Sequence, residues 1–252
     1  MSRQYNIAPS SDAAAPAIVA LRDVKAQCVN CSVRELCLPV GFDRAGLQQI
    51  DALVTDRVHL KKGDLLYRAG DTFAALHAVR VGSCKTTVLG EKGQEQVAGY
   101  HMMGDIVGMD GIGVHRHGGQ AVALEDSEVC VLPYERLEEL ARHVVLLHRN
   151  LHKVLSTEIA REQNVMLMLG SMRADERLAA FLLDLSQRYR DRGYSATEFV
   201  LRLTREDIGS YLGLQLETVS RVLSRFQAAG MIQVQGRAVK LLDLPALRNL
   251  VS

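Results

Sequence analysis

Two hydrophobic rhythms run along the chain, and the change between them divides it. From about Val58 to Leu132 the apolar residues come in short runs, cut by the turns K-K-G-D, A-G-D, G-E-K-G and M-G-D. Segments 58–71, 77–89 and 95–100 read as short strands, and 120–132 as the closing ones, which predicts an all-β sandwich or roll. After Pro133 the period becomes helical. Residues 133–142 predict a short helix. A longer pattern then runs to about Met172, with Leu151, Leu155, Ile159, Met166 and Leu169 on one apolar stripe. No Gly or Pro interrupts residues 143–169, so one helix of about 40 Å is expected at ~1.5 Å per residue. A small roll alone buries such a stripe poorly, and the same helix of a second copy is its natural partner.

Residues 173–252 change register again. An amphipathic helix is predicted over 174–192, ending at Gly193, then a short strand over 199–203. Residues 204–232 read as helix, turn, helix: Thr204 caps, Glu206 and Asp207 put acidic charge in the first turn, Gly213 makes the turn and Gly230 closes the second helix. Residues 231–242 predict a hairpin turning at Gln235-Gly236, placed as a wing. The second helix of the pair carries Glu217, Ser220 and Arg221 at i, i+3 and i+4, on one face near its start, while Val219, Val222, Leu223 and Phe226 can anchor it. A recognition helix enters the major groove with its N-terminal residues on base edges, where Arg pairs with guanine and Glu accepts from cytosine. The plainer alternative is a surface Glu217–Arg221 ion pair; the turn, the preceding helix and the wing favour DNA reading.

Composition narrows the class. The chain has 252 residues and no Trp, so its cores are largely aliphatic. No apolar run approaches the ~18 residues of a membrane span. Residues 1–20 are rich in Ala, Ser and Pro and read as part of a flexible lead over 1–27, not a signal peptide. A cytoplasmic protein is therefore expected, with reduced cysteines available to metals. Net charge is +1, but residues 173–252 carry 12 basic and 9 acidic residues against 18 and 20 in residues 1–172, so the positive excess falls on the segment expected to meet DNA.

Cysteines supply the distinctive chemistry. Cys28, Cys31 and Cys37 have C-x2-C-x5-C spacing, and Cys130 lies in the last predicted strand of the roll. Four thiolates can close the shell of one soft metal centre, and on spacing alone zinc and iron–sulfur are both open. Cys84, within a predicted strand, reads as a small buried hydrophobe. His115 and His117 read as exposed loop histidines. No nucleophile triad, phosphate-binding loop or paired-carboxylate arrangement suggests an enzyme.

Residues 203–226, the Cys28/Cys31/Cys37 spacing and the RLAAF motif from Arg177 to Phe181 together resemble the FNR-type anaerobic transcription regulators of the CRP/FNR superfamily. The resemblance spans about Cys28 to Leu242. It implies an α+β fold: an N-terminal β-roll like a cyclic-nucleotide-binding domain (28–142, with the ligand loop), a long dimerisation helix (143–172) and a C-terminal winged helix-turn-helix (173–252). It further implies an oxygen-labile [4Fe–4S] cluster on Cys28, Cys31, Cys37 and Cys130, base reading by Glu217, Ser220 and Arg221 at palindromic sites with TTGAT half-sites, contact with RNA polymerase, and regulation of promoters by oxygen. Relatives that bind cyclic nucleotides hold the phosphate with an Arg and a hydroxyl residue; Gly119 and Gln120 stand at those places, so no cyclic nucleotide is expected. A constitutive zinc-stapled DNA-binding protein is the rival from another class.

One feature of the long helix suggests a switch. Glu162 falls on the apolar stripe, with Glu158 beside it and Ile159 three positions before. In a parallel dimer each Glu162 approaches its mate, so like charges weaken the seam. The plainer alternative turns Glu162 to the rim, paired with Arg161. Glu158, Ile159 and Glu162 are thus expected to set how readily the cluster-free chain dimerises.

Overall fold

The computed structural model describes residues 28–90 and 93–251. The expected flexible lead over residues 1–27 lies outside the described residues. The chain enters through two 3-10 turns, Cys28–Asn30 and Arg34–Leu36, and a helix absent from the sequence reading, α1 (Arg44–Leu53). Asp43 caps α1 by accepting from the Gly46 N–H, and Leu47, Ile50 and Leu53 form its buried face.

Eight strands follow: β1 (Asp56–Leu60), β2 (Leu65–Tyr67), β3 (Ala75–Val81), β4 (Ser83–Leu89), β5 (Glu95–Met102), β6 (Ile106–Val107), β7 (Gln120–Ala123) and β8 (Ser127–Pro133). They build two four-stranded antiparallel sheets, ordered β1-β8-β3-β6 and β2-β7-β4-β5. Alternation explains the packing. On β8, Ser127 and Val129 are buried toward the roll interior, whereas Cys130 and Leu132 face outward, where α1 and the cysteine loop cover them.

The sequence-predicted helices form with shifted ends. Pro133 is the last strand residue, so the short helix is α2 (Tyr134–His143). The long helix α3 (Val145–Ser171) is 27 residues long, and α4 (Ala174–Asp191) follows. Leu147 and Leu151 at the start of α3 are buried against α2 and the loop, whereas Ile159 and Met166 are 56% and 64% exposed. The apolar stripe is thus exposed at Ile159 and Met166, while Leu169 beyond them is half-buried beside Gly213.

Then come β9 (Glu198–Val200), α5 (Arg205–Leu212), α6 (Leu216–Ala228), β10 (Ile232–Gln235), β11 (Ala238–Leu241) and a further unexpected helix, α7 (Leu244–Asn249). The wing hairpin β10–β11 turns through Gly236-Arg237, one residue later than expected, and β9 pairs with β11. The C-terminal helix-turn-helix unit is docked on the roll. Val97, Tyr100 and Met102 of β5 share one core with Phe181, Leu182, Ile208 and Leu212. Lys85 on β4 pairs with Asp207 on α5 at 2.6 Å, and the Val97 N–H donates to Ser210 Oγ at 2.8 Å.

Candidate functional site

The cysteine loop is held from three sides. Asn150 on α3 donates to the carbonyls of Leu38 (2.8 Å) and Val40 (2.9 Å), and Leu38 is buried among Ile50, Leu53 and Leu132. The Cys28 N–H donates to Asp51 on α1. Cys130 is opposite Arg57 on β1 and Ala78 on β3. These restraints bring Cys28, Cys31, Cys37 and Cys130 to the wall of one pocket, with Val33, Leu38, Ile50, Val54 and Leu132. All four are half-buried free thiols. Cys84, by contrast, is fully buried inside the roll and does not line it.

The four thiols lie within each other's electrostatic reach: Cys28 with Cys37 and Cys130, and Cys31 with Cys37 and Cys130. Burial, then the neighbouring Asp51, raises the Cys28 thiol; burial pushes Cys37 up to about 12 and raises Cys130. Cys28, Cys37 and Cys130 are thereby held toward the protonated thiol, even with Arg57 and Arg80 lowering Cys130. A soft cation reverses that, and its binding releases protons. Among the described residues, no three Cys, His, Asp or Glu side chains already stand as a metal-binding group. The donor set fits a thiolate-loving centre all the same: four sulfurs reach one apolar-walled pocket, and hard oxygen donors are scarce there.

The roll's inner cavity has a different chemistry. About 440 Å³ in volume, it lies between the sheets and α3, lined by Tyr67, Thr86, His101, Asp110, Gly119 and Glu162 among others, with no Lys or Arg. The Gly118 and Gly119 N–H groups donate to the Asp110 carboxylate at 2.8 and 3.3 Å, and His117 Nδ1 stands 3.2 Å from it. The amides that could cradle a phosphate therefore serve the protein's own carboxylate. His117 corrects the sequence reading. It is buried, stacked on Tyr67 with ring centroids 3.7 Å apart, rather than exposed; His115 is exposed as expected.

The reading head is ordered by its own backbone rules. Thr204 and Asp207 form a reciprocal capping box at the start of α5. Gly213 takes φ 61°, and a Cβ on Gly209 would sit 2.6 Å from the Leu214 carbonyl, so the turn between α5 and α6 requires both glycines. Val219, Val222, Leu223 and Phe226 bury one face of α6, which leaves Glu217 and Arg221 exposed on the other, with Ser220 half-buried beside them. Arg221 Nη2 donates to Thr218 Oγ1 at 3.2 Å, and Arg205 Nη1 to Ser220 Oγ at 3.3 Å. Among the described residues no Glu217–Arg221 ion pair forms. Arg177, first residue of the RLAAF motif, donates to the carbonyls of Met172, Leu212 and Leu169 at 2.9, 3.0 and 2.8 Å, joining the ends of α3 and α5.

On α3, Glu158 is half-buried, while Ile159 and Glu162 are exposed. Sequence reasoning missed Asp105, Arg188 and Arg192. Asp105 sits in a turn already read as M-G-D, and the arginines belong to the polar face of an amphipathic helix, so only the fold shows that they meet.

Residues 57–143 match the cyclic nucleotide-binding domain model, and residues 176–250 match the Crp-like helix-turn-helix domain model. The chain is 45% identical over 226 residues to the transcriptional regulatory protein Btr of Bordetella pertussis, covering 90% of this chain and 93% of that one. It is 41% identical over 223 residues to the fumarate and nitrate reduction regulatory protein of Escherichia coli, covering 88% and 89%. Among solved structures, FixK2 from Bradyrhizobium japonicum superposes with a TM-score of 0.72 at 30% identity, over 78% of this chain and 97% of that one. Among the described residues no helix is long and apolar enough to cross a membrane. The β-roll, the long helix, the winged reading head and these relatives together place the chain in the CRP/FNR family of DNA-binding transcription regulators.

Proposed function

We propose that this regulator senses oxygen through an oxygen-labile [4Fe–4S] cluster ligated by Cys28, Cys31, Cys37 and Cys130. The observation that carries the reading is that Cys130, 93 residues beyond Cys37 and on a different element, lines the same pocket as the three loop cysteines. When bound, such a cluster supplies an oxidant-sensitive metal centre that a zinc ion lacks. The protein's own part is to deliver four thiolates, to wall the pocket with Val33, Leu38, Ile50 and Leu132, and to hold the loop through Asn150.

Regulators of this family bind DNA and act as dimers. In this chain the dimer seam runs along Ile159, Glu162 and Met166 of α3, and the cluster-loaded state favours it. Arg221 pairs with guanine, Glu217 accepts from cytosine, and Ser220 reads a neighbouring base, at palindromic sites with TTGAT half-sites. Contact with RNA polymerase turns occupancy into activation or repression. The inner cavity of the roll plays no part in nucleotide sensing, because Asp110 occupies the amide donors and no cation is available to a phosphate.

Anaerobic purification tests the reading. A brown protein with about four iron and four sulfide per chain, bleaching in air, is expected. A colourless, air-stable protein holding zinc overturns it in favour of a constitutive DNA-binding protein with a structural metal.

A further inference from the structure

Three elements meet at one carboxylate. Asp105, on the turn between β5 and β6, accepts from Arg188 Nη2 at 2.6 Å and Arg192 Nη2 at 2.8 Å, and from the Met102 N–H at 2.8 Å. Arg161 of α3 stands 4.0 Å away. Arg192 also grips the turn by its backbone, donating to the Met103 carbonyl, and Arg188 donates to the Tyr100 carbonyl on β5, each at 2.8 Å. The side chains of Asp105, Arg188 and Arg192 are only 14%, 9% and 6% exposed. Burial alone would raise the Asp105 carboxyl; the arginines override it and hold the group at about 2, so it stays charged. A buried charge with several partners tolerates little displacement, since losing one partner leaves the others uncompensated.

The opposite side of the same turn meets the cysteine loop. Gly104 takes φ 93°, and a Cβ there would stand 2.7 Å from Leu36 Cβ, so the loop rests directly on the glycine. Leu36 immediately precedes Cys37. A cavity of about 320 Å³ lies between the loop, the turn, α3 and α4, lined by Cys37, Gly104, Asn150, Arg161, Arg188 and Arg192 among others. These parts are close-packed at Leu36–Gly104 and have free volume beside it, which is what a movable contact needs.

We infer that the turn 103–105 couples the cysteine loop to the reading head: the packing of Leu36 on Gly104 sets where Asp105 holds Arg188 and Arg192. A rearrangement at Cys37 then moves the reading head through that turn, without passing through the dimer seam. The mechanical link stands on the contacts above; its use as a signal rests on the proposed cluster.

Hydrogen–deuterium exchange on the full-length, cluster-free protein separates the two. Leu36→Ala alters no residue of α4 or its ion pairs, yet it is expected to speed amide exchange around Arg188 and Arg192 by about fivefold or more. Asp105→Asn is expected to do the same more strongly. Faster exchange confined to the cysteine loop in Leu36→Ala, with α4 unchanged, overturns the inference. Circular dichroism checks folding, and Leu36→Val gives a graded version if the alanine variant unfolds. Iron analysis of the wild type stands apart: absence of iron defeats the sensing reading, while the exchange result still decides the coupling.

Discussion

Arg161 donates to Glu158 at 2.6 Å, one turn apart on α3, and so leaves Glu162 exposed without that partner. Of the two carboxylates near the apolar stripe, one is neutralised within the chain and the other is free to meet its symmetry mate. Burial raises Glu158 despite the lowering effect of Arg161, which fits a group turned inward toward the roll. Glu162→Ala is therefore expected to strengthen dimerisation of the cluster-free protein by about tenfold or more at low salt, with less effect at high salt. Sedimentation of the aerobic apoprotein measures it; an unchanged monomer fraction places Glu162 outside the seam.

Serine at Cys28, Cys31, Cys37 or Cys130 is expected to abolish iron retention and oxygen-regulated transcription, because a hydroxyl is too hard a donor for the centre. Cys84→Ser is expected to keep the iron and to lose about 1–3 kcal/mol of stability from an added buried hydroxyl. Iron content and a reporter assay read the set. Loss of iron in Cys84→Ser with retention in Cys130→Ser would reverse the assignment of the fourth ligand.

At the reading head, Arg221→Ala is expected to cost about 1–3 kcal/mol on the matched site and to relax base choice at one position of each half-site. Glu217→Ala should relax specificity with little loss of affinity. Binding to matched and mismatched duplexes at fixed salt decides. An equal loss on every sequence would make Arg221 a phosphate contact.

Acid should loosen the roll before it reaches the carboxylates. Burial lowers both His77 and His101 to about 4, so each is neutral in the folded protein and charges more readily when unfolded. Their contribution is complete above the unfolded value of about 6.5 and is lost as pH falls toward 4. Between pH 7.5 and 5 the loss is about 2 kcal/mol for each histidine, measured as a fall in the urea midpoint. His101→Gln should flatten that slope; a slope unchanged by the substitution would assign the pH dependence elsewhere.

Cyclic AMP is expected to give no calorimetric signal at millimolar concentration, where even a Kd of about 1 mM would be visible. Saturable binding would show that Asp110 can be displaced from the Gly118 and Gly119 amides.

Local pattern carried the strands, the long helix and the paired helices of the reading head, because each rests on neighbours in sequence: the capping box at Thr204, the φ of Gly213, the buried spacing of Val219, Val222 and Phe226. The cysteine spacing pointed to one pocket for the same reason, and Cys130 joined it through the family resemblance. What stayed hidden was long-range. Helix α1 is short and covers Leu132, far along the chain. His117 looks like a loop residue until Tyr67 is seen stacked on it. Asp105 meets Arg188 and Arg192 across more than 80 positions, and no periodicity records such a meeting.

The three carbonyls held by Arg177 bear on the geometry of the operator. The link between α3 and α4 is only two residues, and a swivel about it would pull the Arg177 guanidinium off the Leu169 and Met172 carbonyls at the end of α3. The joint therefore has no free swivel, and the reading head shifts only as far as the turn 103–105 drives it. In a dimer the distance between the two recognition helices is then set by the α3 pair and not by a slack tether. An operator lengthened by a single base pair between its half-sites should be rejected, however well each half is matched.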